Sequence, residues 1–373
     1  MKLIYACKDF DHIEFAQALA LSKLPNIQKI CIVTCTKSFT SELSKFASIE
    51  IIPDLNKRRF HKESQNKFER VLESFKPDLV YSVHGSSLIT NIISVLKKPK
   101  FHHIAKVSYR GVIGNLHYLF NPESLFTHNS SRVDACLGTS EAVVSYLKKQ
   151  PLIRGKYIDV LYPGVSTKFM TSMAKEASEL IKGEDHDIEL RLCFLGSMRR
   201  KIKGFDILAE SILNLSKKDQ KKIRLYCIGE LPKYSDRYQE CESLVFVGFD
   251  TNPWRHFKFF DYLVMPSRLE GLGRAGAEAM ALGLPVITSG VGGIQEYILN
   301  NDNGFLIRSN KADDYRTLWK QLLADPDLKE TQKRLAESAL QRASFFDPEK
   351  IAAKLLETFN EAIKIREKKV KAL

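Results

Sequence analysis

The chain has 373 residues, which is more than one ordinary hydrophobic core requires and matches two domains of common size. Hydrophobic residues make up 44% and charged residues 27% of the chain, as in soluble globular proteins, so the disordered and fibrous classes are excluded. Lysine and arginine total 57 against 44 for aspartate and glutamate, a formal net charge of +13. This excess indicates an anionic partner, which is phosphate, a phospholipid surface or nucleic acid.

Targeting and metal-binding signals are weak in this sequence. The apolar stretch in residues 1–9 is too short for a signal peptide, and no apolar run is long enough to span a bilayer. We therefore expect a cytoplasmic protein. The seven cysteines lie mostly in apolar runs and are expected as buried thiols, and the spacing of Cys31 and Cys35 lacks the second pair that a metal site requires.

Apolar runs rich in β-branched residues alternate with longer amphipathic runs in the first half of the chain. This alternation is typical of βαβ units with a parallel sheet. The predicted strands are residues 2–7, 29–34 and 79–83, and the predicted helices are residues 11–24, 39–47 and 88–97.

The same alternation resumes after residue 189. The predicted strands are residues 190–196, 223–229, 244–247, 262–266 and 286–289, and the predicted helices are residues 205–215 and 275–282. The sequence therefore predicts an α/β protein with two doubly wound domains. The polar stretch at residues 182–187 is interpreted as the linker between them.

The last segment of the chain is predicted to be a long amphipathic helix. Asp347 is a candidate N-cap, and Pro348 suits the first helical position. The apolar residues that follow at helical spacing are Ile351, Leu355, Leu356 and Phe359. The basic end at residues 364–371 is either a solvated tail or a contact with anionic lipid headgroups.

A glycine-rich loop follows the apolar strand at residues 262–266 and leads into a helix. At the carboxyl end of a strand in a doubly wound sheet, such a loop lies where ligands bind. Its glycines, Gly271, Gly273 and Gly276, let backbone N–H groups approach a ligand, and the helix start favours a diphosphate.

Two carboxylates flank this glycine-rich loop. Glu270 could accept hydrogen bonds from sugar hydroxyls, and Glu278 could reach ribose hydroxyls from the other side. The alternative is that Glu270 faces solvent, that Glu278 only complements the helix dipole, and that the glycines only turn the chain.

The segment 266–296 resembles the donor site of family 4 glycosyltransferases. The family pattern is Pro-Ser, Glu-Gly-x-Gly, a second Glu eight positions after the first, Ala-Met, and a Gly-x-Pro-Val strand. The matching residues here are Pro266-Ser267, Glu270-Gly271-Leu272-Gly273, Glu278-Ala279-Met280 and Gly283-Leu284-Pro285-Val286, followed by Gly292-Gly293, Glu296 and Asn303-Gly304-Phe305-Leu306. The motifs at residues 160–165 and at Phe246-Val247-Gly248-Phe249 also match, so the resemblance covers about half of the chain.

The resemblance implies the GT-B architecture, in which two Rossmann-like domains face a central cleft that holds the donor. The domains would be residues 1–165 on the acceptor side and residues 189–346 on the donor side, joined by a linker at residues 166–188. The helix at residues 347–373 would cross back to the N-terminal domain.

The resemblance also implies roles for single residues. Glu270 would bind the donor sugar, Gly271, Leu272 and Gly273 would face the diphosphate, Glu278 would bind the ribose, and Val247 would belong to the donor site. No covalently bound cofactor and no metal is implied, and the donor substrate would be a nucleotide diphosphate sugar, with UDP-sugar as the expected type.

The second phosphate-binding element of the family departs from its pattern here. The family has Gly-Arg-Leu followed by Lys-Gly, whereas this chain has Ser197 in place of the arginine and a loop one residue longer. Lys203 matches the lysine, and Arg199 or Arg200 could supply the missing charge near the leaving diphosphate. The alternative is a solvated basic loop.

The N-terminal half departs further from the family. Arg110 stands near the place of the family histidine; it could stabilise charge on the leaving group or acceptor, but arginine cannot act as a base near neutral pH. His84 is a second candidate, although a structural histidine is as plausible there. The strings at residues 9–11 and 185–187 resemble an Asp-x-Asp metal signature, but neither lies in the donor segment.

These features predict a retaining glycosyltransferase that builds a cell-surface polysaccharide or lipopolysaccharide. The predicted partners are the sugar donor, a saccharide or lipid-linked acceptor and an anionic membrane surface. The basic clusters at residues 57–59 and 97–100 would contact that surface. The protein is expected to be peripheral on the inner face of the plasma membrane. The alternatives are a sugar-nucleotide epimerase, a glycogen-type synthase or a non-catalytic nucleotide-sugar-binding protein. No aromatic-basic module for nucleic acid is recognised, so that partner is not predicted.

Overall fold

The computed structural model describes residues 1–113, 122–174, 188–232, 238 and 240–372. The chain divides into two compact units. Unit 1 comprises Met1–Gly164 and Phe346–Leu373, and unit 2 comprises Val165–Phe345. The linker signal at residues 182–187 and the second Asp-x-Asp string at residues 185–187 lie outside the described residues.

Unit 1 is built on a sheet of seven parallel strands in the order β3-β2-β1-β4-β5-β6-β7. Alternate residues of one strand face two different cores: Leu3 and Tyr5 join one cluster, whereas Ile4 and Ala6 join the other. Burial on both faces is characteristic of doubly wound sheets. The strands are β1 (Lys2–Cys7), β2 (Lys29–Thr34), β3 (Ser48–Ile51), β4 (Leu79–Val83), β5 (Ala105–Arg110), β6 (Ala135–Gly138) and β7 (Tyr157–Val160).

Helices cover this sheet. Asp11 caps the first of them by accepting a hydrogen bond from the Ile13 amide, 2.8 Å, so this carboxylate of the Asp9–Asp11 string has a structural partner. The helices of unit 1 before the last segment are α1 (His12–Ser22), α2 (Thr40–Leu43), α3 (Lys62–Phe75), α4 (Ser86–Leu96), α5 (Pro122–Leu125) and α6 (Glu141–Lys148).

Unit 2 is built on a sheet of six parallel strands in the order β10-β9-β8-β11-β12-β13. Its strands are β8 (Leu190–Leu195), β9 (Ile223–Ile228), β10 (Leu244–Gly248), β11 (Tyr262–Met265), β12 (Val286–Thr288) and β13 (Gly304–Leu306). Its helices are α7 (Thr167–Ala174), α8 (Phe205–Leu213), α9 (Lys217–Lys222), α10 (Arg274–Ala281), α11 (Ala312–Ala324) and α12 (Leu328–Arg342).

The last helix, α13 (Pro348–Lys371), belongs to unit 1 and buries its apolar stripe against that unit. Asp347 caps it by accepting hydrogen bonds from the amides of Glu349 and Lys350, 2.9 and 3.2 Å. The basic end is not simply solvated. The guanidinium of Arg366 is buried and donates two hydrogen bonds, of 2.7 and 3.0 Å, to the carboxylate of the fully buried Asp134. Asp134 lies just before β6.

Two predicted segments differ from the structure. The helix predicted at residues 39–47 spans only Thr40–Leu43, because Phe39 has a left-handed φ of 55° and Ser44 turns its hydroxyl back to the Ser41 carbonyl. The first part of the predicted linker forms helix α7. Among the described residues, no helix combines the length and apolar character needed to cross a membrane.

Candidate functional site

Three loops of unit 2 meet beyond the carboxyl ends of β8, β11 and β12. These strands are neighbours in the sheet, so parallel pairing brings the loops that follow them to one edge. The loops are residues 196–204, 266–273 and 289–293. The structure thereby collects most of the predicted donor-binding residues in one place.

Lys203 and Glu270 form the central contact of this site. The Lys203 Nζ lies 2.9 Å from the Glu270 Oε2, and the Ser267 hydroxyl donates to the same oxygen at 3.1 Å. The side chains are 28% and 16% exposed, respectively, so the pair is shielded without being sealed from solvent. Two residues singled out separately in the sequence therefore form one unit that a ligand can reach.

Gly204 sets the position of Lys203. The residues Lys201–Lys203 form a short 3-10 turn, and Gly204 follows with φ of +75°. A Cβ at Gly204 would lie 1.9 Å from the Pro266 carbonyl oxygen, which is a collision with backbone. Only glycine permits this approach, so the turn that carries Lys203 packs directly on the loop that carries Glu270.

Gly292 and Gly293 set the position of Glu270 in a similar way. A Cβ at Gly292 would lie 1.8 Å from the Glu270 carbonyl oxygen, and the Gly293 amide donates to the Gly271 carbonyl at 2.8 Å. The sequence showed this glycine pair only as part of a family pattern. The structure shows that it supports the backbone of Glu270 and Gly271.

The start of α10 offers a place for an anion. Gly273 is its N-cap with φ of +86°, and no side chain caps the helix there. Uncapped N–H groups and the helix dipole favour a negatively charged ligand at such a position. Leu272 is buried in the same loop and helps to hold its shape.

Gly276 has a packing role in the structure. A Cβ at this position would lie 2.4 Å from the Tyr297 hydroxyl, so the space beside Gly276 is already filled. That hydroxyl donates to the Gly273 carbonyl at 2.6 Å. Gly276 thus makes room for a buried tyrosine that braces the loop, and its own amide donates to the Gly273 carbonyl at 2.9 Å. Its predicted approach to a ligand stays a prediction.

Glu278 lies on α10 and is 7% exposed. Burial raises the pKa of Tyr297 well above its ordinary value, and the charges of Glu270, Glu278 and Glu296 raise it further. The phenol is therefore neutral at physiological pH and remains a hydrogen-bond donor. The ribose-binding role of Glu278 stays a prediction.

The remaining basic and apolar candidates of unit 2 lie around this centre. Arg199 donates from Nε to the Leu231 carbonyl at 3.0 Å, and Arg200 is exposed, with its carbonyl accepting from the Lys203 amide at 2.8 Å. Ser197 donates to Glu230 at 2.6 Å. Val247 lies on β10, which is separated from β8 by β9.

Arg110 belongs to unit 1, at the end of β5. Its Nε donates to the Val112 carbonyl at 2.9 Å, and its guanidinium lies 4.9 Å from the centre of the Tyr146 ring. Burial, followed by the Arg110 charge, lowers the pKa of the neighbouring His128 to about 3, so this histidine is neutral. His84, also in unit 1, has a φ of 56° and lies 3.3 Å from a Glu14 carboxylate oxygen.

Part of unit 2 is similar to a known protein family. Residues 189–325 match the family model described as Glycosyl transferases group 1. Part of unit 2 is therefore similar to the group 1 glycosyltransferases. This segment includes Lys203, Glu270 and Glu278, and it supports the predicted transferase class.

The curated proteins that this chain resembles in sequence are glycosyltransferases. The chain is 28% identical over 220 residues to D-inositol 3-phosphate glycosyltransferase of Arthrobacter sp. (strain FB24), covering 56% of this chain and 51% of the relative. It is 32% identical over 100 residues to an uncharacterized glycosyltransferase of Methanocaldococcus jannaschii, covering 27% of this chain and 28% of that protein. The chain spans about half the length of the D-inositol 3-phosphate glycosyltransferase that it matches.

Solved structures share the fold over nearly the whole chain. Anabaena HepE in complex with UDP has a TM-score of 0.72 at 16% identity, covering 96% of this chain and 100% of HepE. The lipopolysaccharide outer core galactosyltransferase WaaB has a TM-score of 0.66 at 16% identity, covering 97% and 99% of the two chains. The predicted fold class, α/β with two Rossmann-like domains of the GT-B type, is confirmed.

Proposed function

We propose that the protein is a glycosyltransferase that uses a nucleotide diphosphate sugar as its donor. The observation that carries this proposal is the contact between Lys203 and Glu270, 2.9 Å, within the segment that matches the group 1 family model. A cation beside a carboxylate suits a substrate that has an anionic diphosphate next to a sugar rich in hydroxyl groups.

The donor would bind across the three loops. Lys203 and the start of α10 face the diphosphate, Glu270 accepts hydrogen bonds from the sugar hydroxyls, and Glu278 accepts them from the ribose. UDP is the proposed nucleotide, because HepE, which shares the fold, was solved with UDP and with UDP-glucose.

The proposed reaction retains the anomeric configuration. The bond from the sugar C1 to the diphosphate oxygen breaks, and the acceptor hydroxyl oxygen bonds to C1 on the same face. The hydroxyl proton passes to an oxygen of the departing diphosphate, so no enzymic nucleophile is required. Lys203 stabilises the negative charge that develops on the leaving group.

The experiment is a transfer assay with labelled UDP-sugars, comparing wild type with Glu270→Ala and Lys203→Ala. Both variants are expected to lose transfer while remaining folded, because each removes a group that binds donor charge or hydroxyls. Lys222→Ala is the matched control, since Lys222 also pairs with a carboxylate in unit 2, at 2.6 Å from Glu189. Turnover at the wild-type rate in either site variant removes the site assignment, and epimerised UDP-sugar without transfer favours an epimerase.

The proposed acceptor is a saccharide or lipid-linked saccharide at an anionic membrane surface, as in lipopolysaccharide synthesis. The two basic clusters differ in the structure. In the cluster at residues 97–100, Lys98 pairs with Glu69, and Lys100 lies 2.8 Å from Glu69 and 2.5 Å from Glu73. Much of that positive charge is therefore neutralised by α3.

The cluster at residues 57–59, in which Lys57 lies 3.5 Å from Asp54, is proposed to contact the membrane because it adjoins exposed apolar side chains. Arg58 and Arg59 are exposed and precede Phe60, which is 51% exposed at a φ of 56°. The Phe60 ring meets that of Phe126 edge-on at 5.1 Å, and Leu125 beside it is also exposed. Basic side chains around exposed apolar ones match the headgroup region of an anionic bilayer.

Cosedimentation with vesicles tests this membrane proposal. Arg58→Gln with Arg59→Gln is expected to weaken binding to phosphatidylglycerol-containing vesicles by roughly tenfold or more, since each basic residue near such a surface contributes about 1 kcal/mol. Lys98→Gln with Lys100→Gln removes the same charge and is expected to have a smaller effect. Equal losses in the two double variants, or no binding by wild type, would contradict the proposal.

A further inference from the structure

Lys203 and Glu270 come from loops that are distant in the sequence. Lys203 ends the turn after β8, and Glu270 lies in the loop after β11, 67 residues later. Their own contact is a single ion pair between two flexible side chains, which fixes little geometry by itself. Gly204 packs the Lys203 turn against Pro266, and hydrogen bonds between the two loops would add a fixed register to this packing.

Arg268 supplies bonds between these loops. Its Nη1 and Nη2 donate to the two carboxylate oxygens of Asp206, both at 2.8 Å. Its Nη1 also donates to the Lys201 carbonyl at 2.5 Å, and its backbone amide donates to the Ile202 carbonyl at 2.8 Å. One residue of the Glu270 loop thus binds the turn immediately before Lys203 and the first turn of α8 immediately after it.

We propose that Arg268 is a positioning residue, whose guanidinium holds the Lys201–Lys203 turn against the loop of Glu270 and thereby sets the site for a diphosphate. Arg268 acts through Lys203 and touches neither substrate nor reacting atoms. The consequence for nucleotide binding rests on the proposed function, whereas the consequence for the position of Lys203 does not.

The chemistry of the ion pair between Arg268 and Asp206 fits this positioning role. A planar guanidinium can bond both oxygens of one carboxylate in a fixed orientation, which lysine cannot do. Partial burial would raise the pKa of Asp206, but the hydrogen bonds and charge of Arg268 outweigh burial and lower it. Asp206 therefore stays ionised. The pair is 41% and 48% exposed, so it is expected to affect local geometry more than overall stability.

The first test measures how accessible the Lys203 amine is and does not depend on enzymatic activity. Brief labelling of amines, quantified by mass spectrometry of peptides, is expected to modify Lys203 several-fold faster in Arg268→Gln than in wild type. Lys222, which pairs with Glu189 at 2.6 Å, is the internal reference and should not change. Arg316→Gln is the matched control, because Arg316 pairs with Asp313 at 2.9 Å within one turn of α11 and not between two loops. Unchanged labelling of Lys203 in Arg268→Gln overturns the proposal.

The second test measures UDP binding by calorimetry. Arg268→Gln is expected to weaken binding roughly tenfold when Lys203 is present, and less than about twofold in a Lys203→Gln background, since effects transmitted through one residue are not additive. Equal weakening in both backgrounds would show that Arg268 acts independently and would overturn the proposal. If wild type binds no nucleoside diphosphate while Lys203 labelling still changes, the proposed function fails and the positioning role stands.

Discussion

Several glycines of unit 2 stand where any side chain would collide with backbone. A Cβ at Gly204, Gly229 or Gly292 would lie 1.9, 2.0 or 1.8 Å from a carbonyl oxygen of Pro266, Gly196 or Glu270, respectively. Two of these contacts fix the backbone beside Lys203 and Glu270. The geometry of the candidate site therefore depends on close backbone packing as well as on its charged side chains.

Lys106 is a residue whose chemistry the sequence did not reveal. It lies in β5, is fully buried, and directs its ammonium to the Ser82 hydroxyl and the Val107 carbonyl. Burial lowers its pKa to about 7, with smaller effects from Cys136, Arg132 and Asp134. In the unfolded chain the pKa of a lysine is about 10.4. The folded protein therefore binds fewer protons at Lys106 than the unfolded chain between these two pH values.

The sign of the resulting pH dependence follows from this difference. Between about pH 7 and 10, the stability contributed by Lys106 rises with pH, because unfolding takes up a proton. Lys106→Met is expected to be more stable than wild type at pH 7, by roughly 1–4 kcal/mol. This advantage should shrink by about 1 kcal/mol for each pH unit up to pH 9.

Urea unfolding of Lys106→Met and of wild type at pH 7, 8 and 9 measures this effect. Subtracting the two free energies of unfolding at each pH cancels the contribution of the other titrating groups. Lys364→Met is the control, because Lys364 is exposed and pairs with Glu361 on the helix surface. A stability difference between Lys106→Met and wild type that stays constant over this range would contradict the lowered pKa.

Some site residues can be found from sequence and others cannot. Glu270 and Lys203 stand in motifs whose spacing indicates a donor site, and the structure brings these two side chains together. Arg268 and Tyr297 are recognised only by contacts between loops separated by many residues. The packing of Gly276 on Tyr297 could not be predicted, because a glycine required by a packed ring and one required by a ligand give the same sequence pattern.

At the scale of elements, the ends of the predicted strands in unit 1 were more accurate than the ends of the predicted helices. Strands buried on both faces appear as continuous apolar runs, and β1, β2 and β4 begin and end where their runs do. Helix ends depend on caps and on tertiary contacts, so α2 is much shorter than its pattern indicated. The parallel sheet of unit 1 was predicted from β1, β2 and β4, whereas β3, β5, β6 and β7 were not among the predicted strands.

The last helix shows why a terminal charge pattern is hard to interpret. Its basic end was open to two readings, a solvated tail or a lipid contact. In the structure Arg366 and Lys369 both bind Asp134, at 2.7 and 3.1 Å, and Arg366 also donates to the Arg132 carbonyl. The pairing involves a residue more than two hundred positions earlier. A sequence pattern confined to the helix could not show this partner.

At the scale of the whole molecule, the basic residues behind the net charge of +13 have different partners. Some basic residues are matched by carboxylates, as on α3 and at Asp134. Lys203, which pairs with Glu270, and the basic residues at positions 57–59 lie where the proposed donor and membrane would supply further negative charge. The fold class followed from the alternation of elements along the chain, whereas the assignment of charges to partners required the structure.

Titration calorimetry of UDP into the wild-type protein, alongside Lys203→Ala, tests the central claim most directly. Wild type is expected to bind one UDP per chain in a saturable manner. Lys203→Ala is expected to bind UDP at least about tenfold more weakly, because a charge-assisted contact to the diphosphate is lost. No saturable binding of UDP, or of GDP or ADP in its place, would contradict the account. Equal affinity of wild type and Lys203→Ala for the nucleotide would contradict it as well.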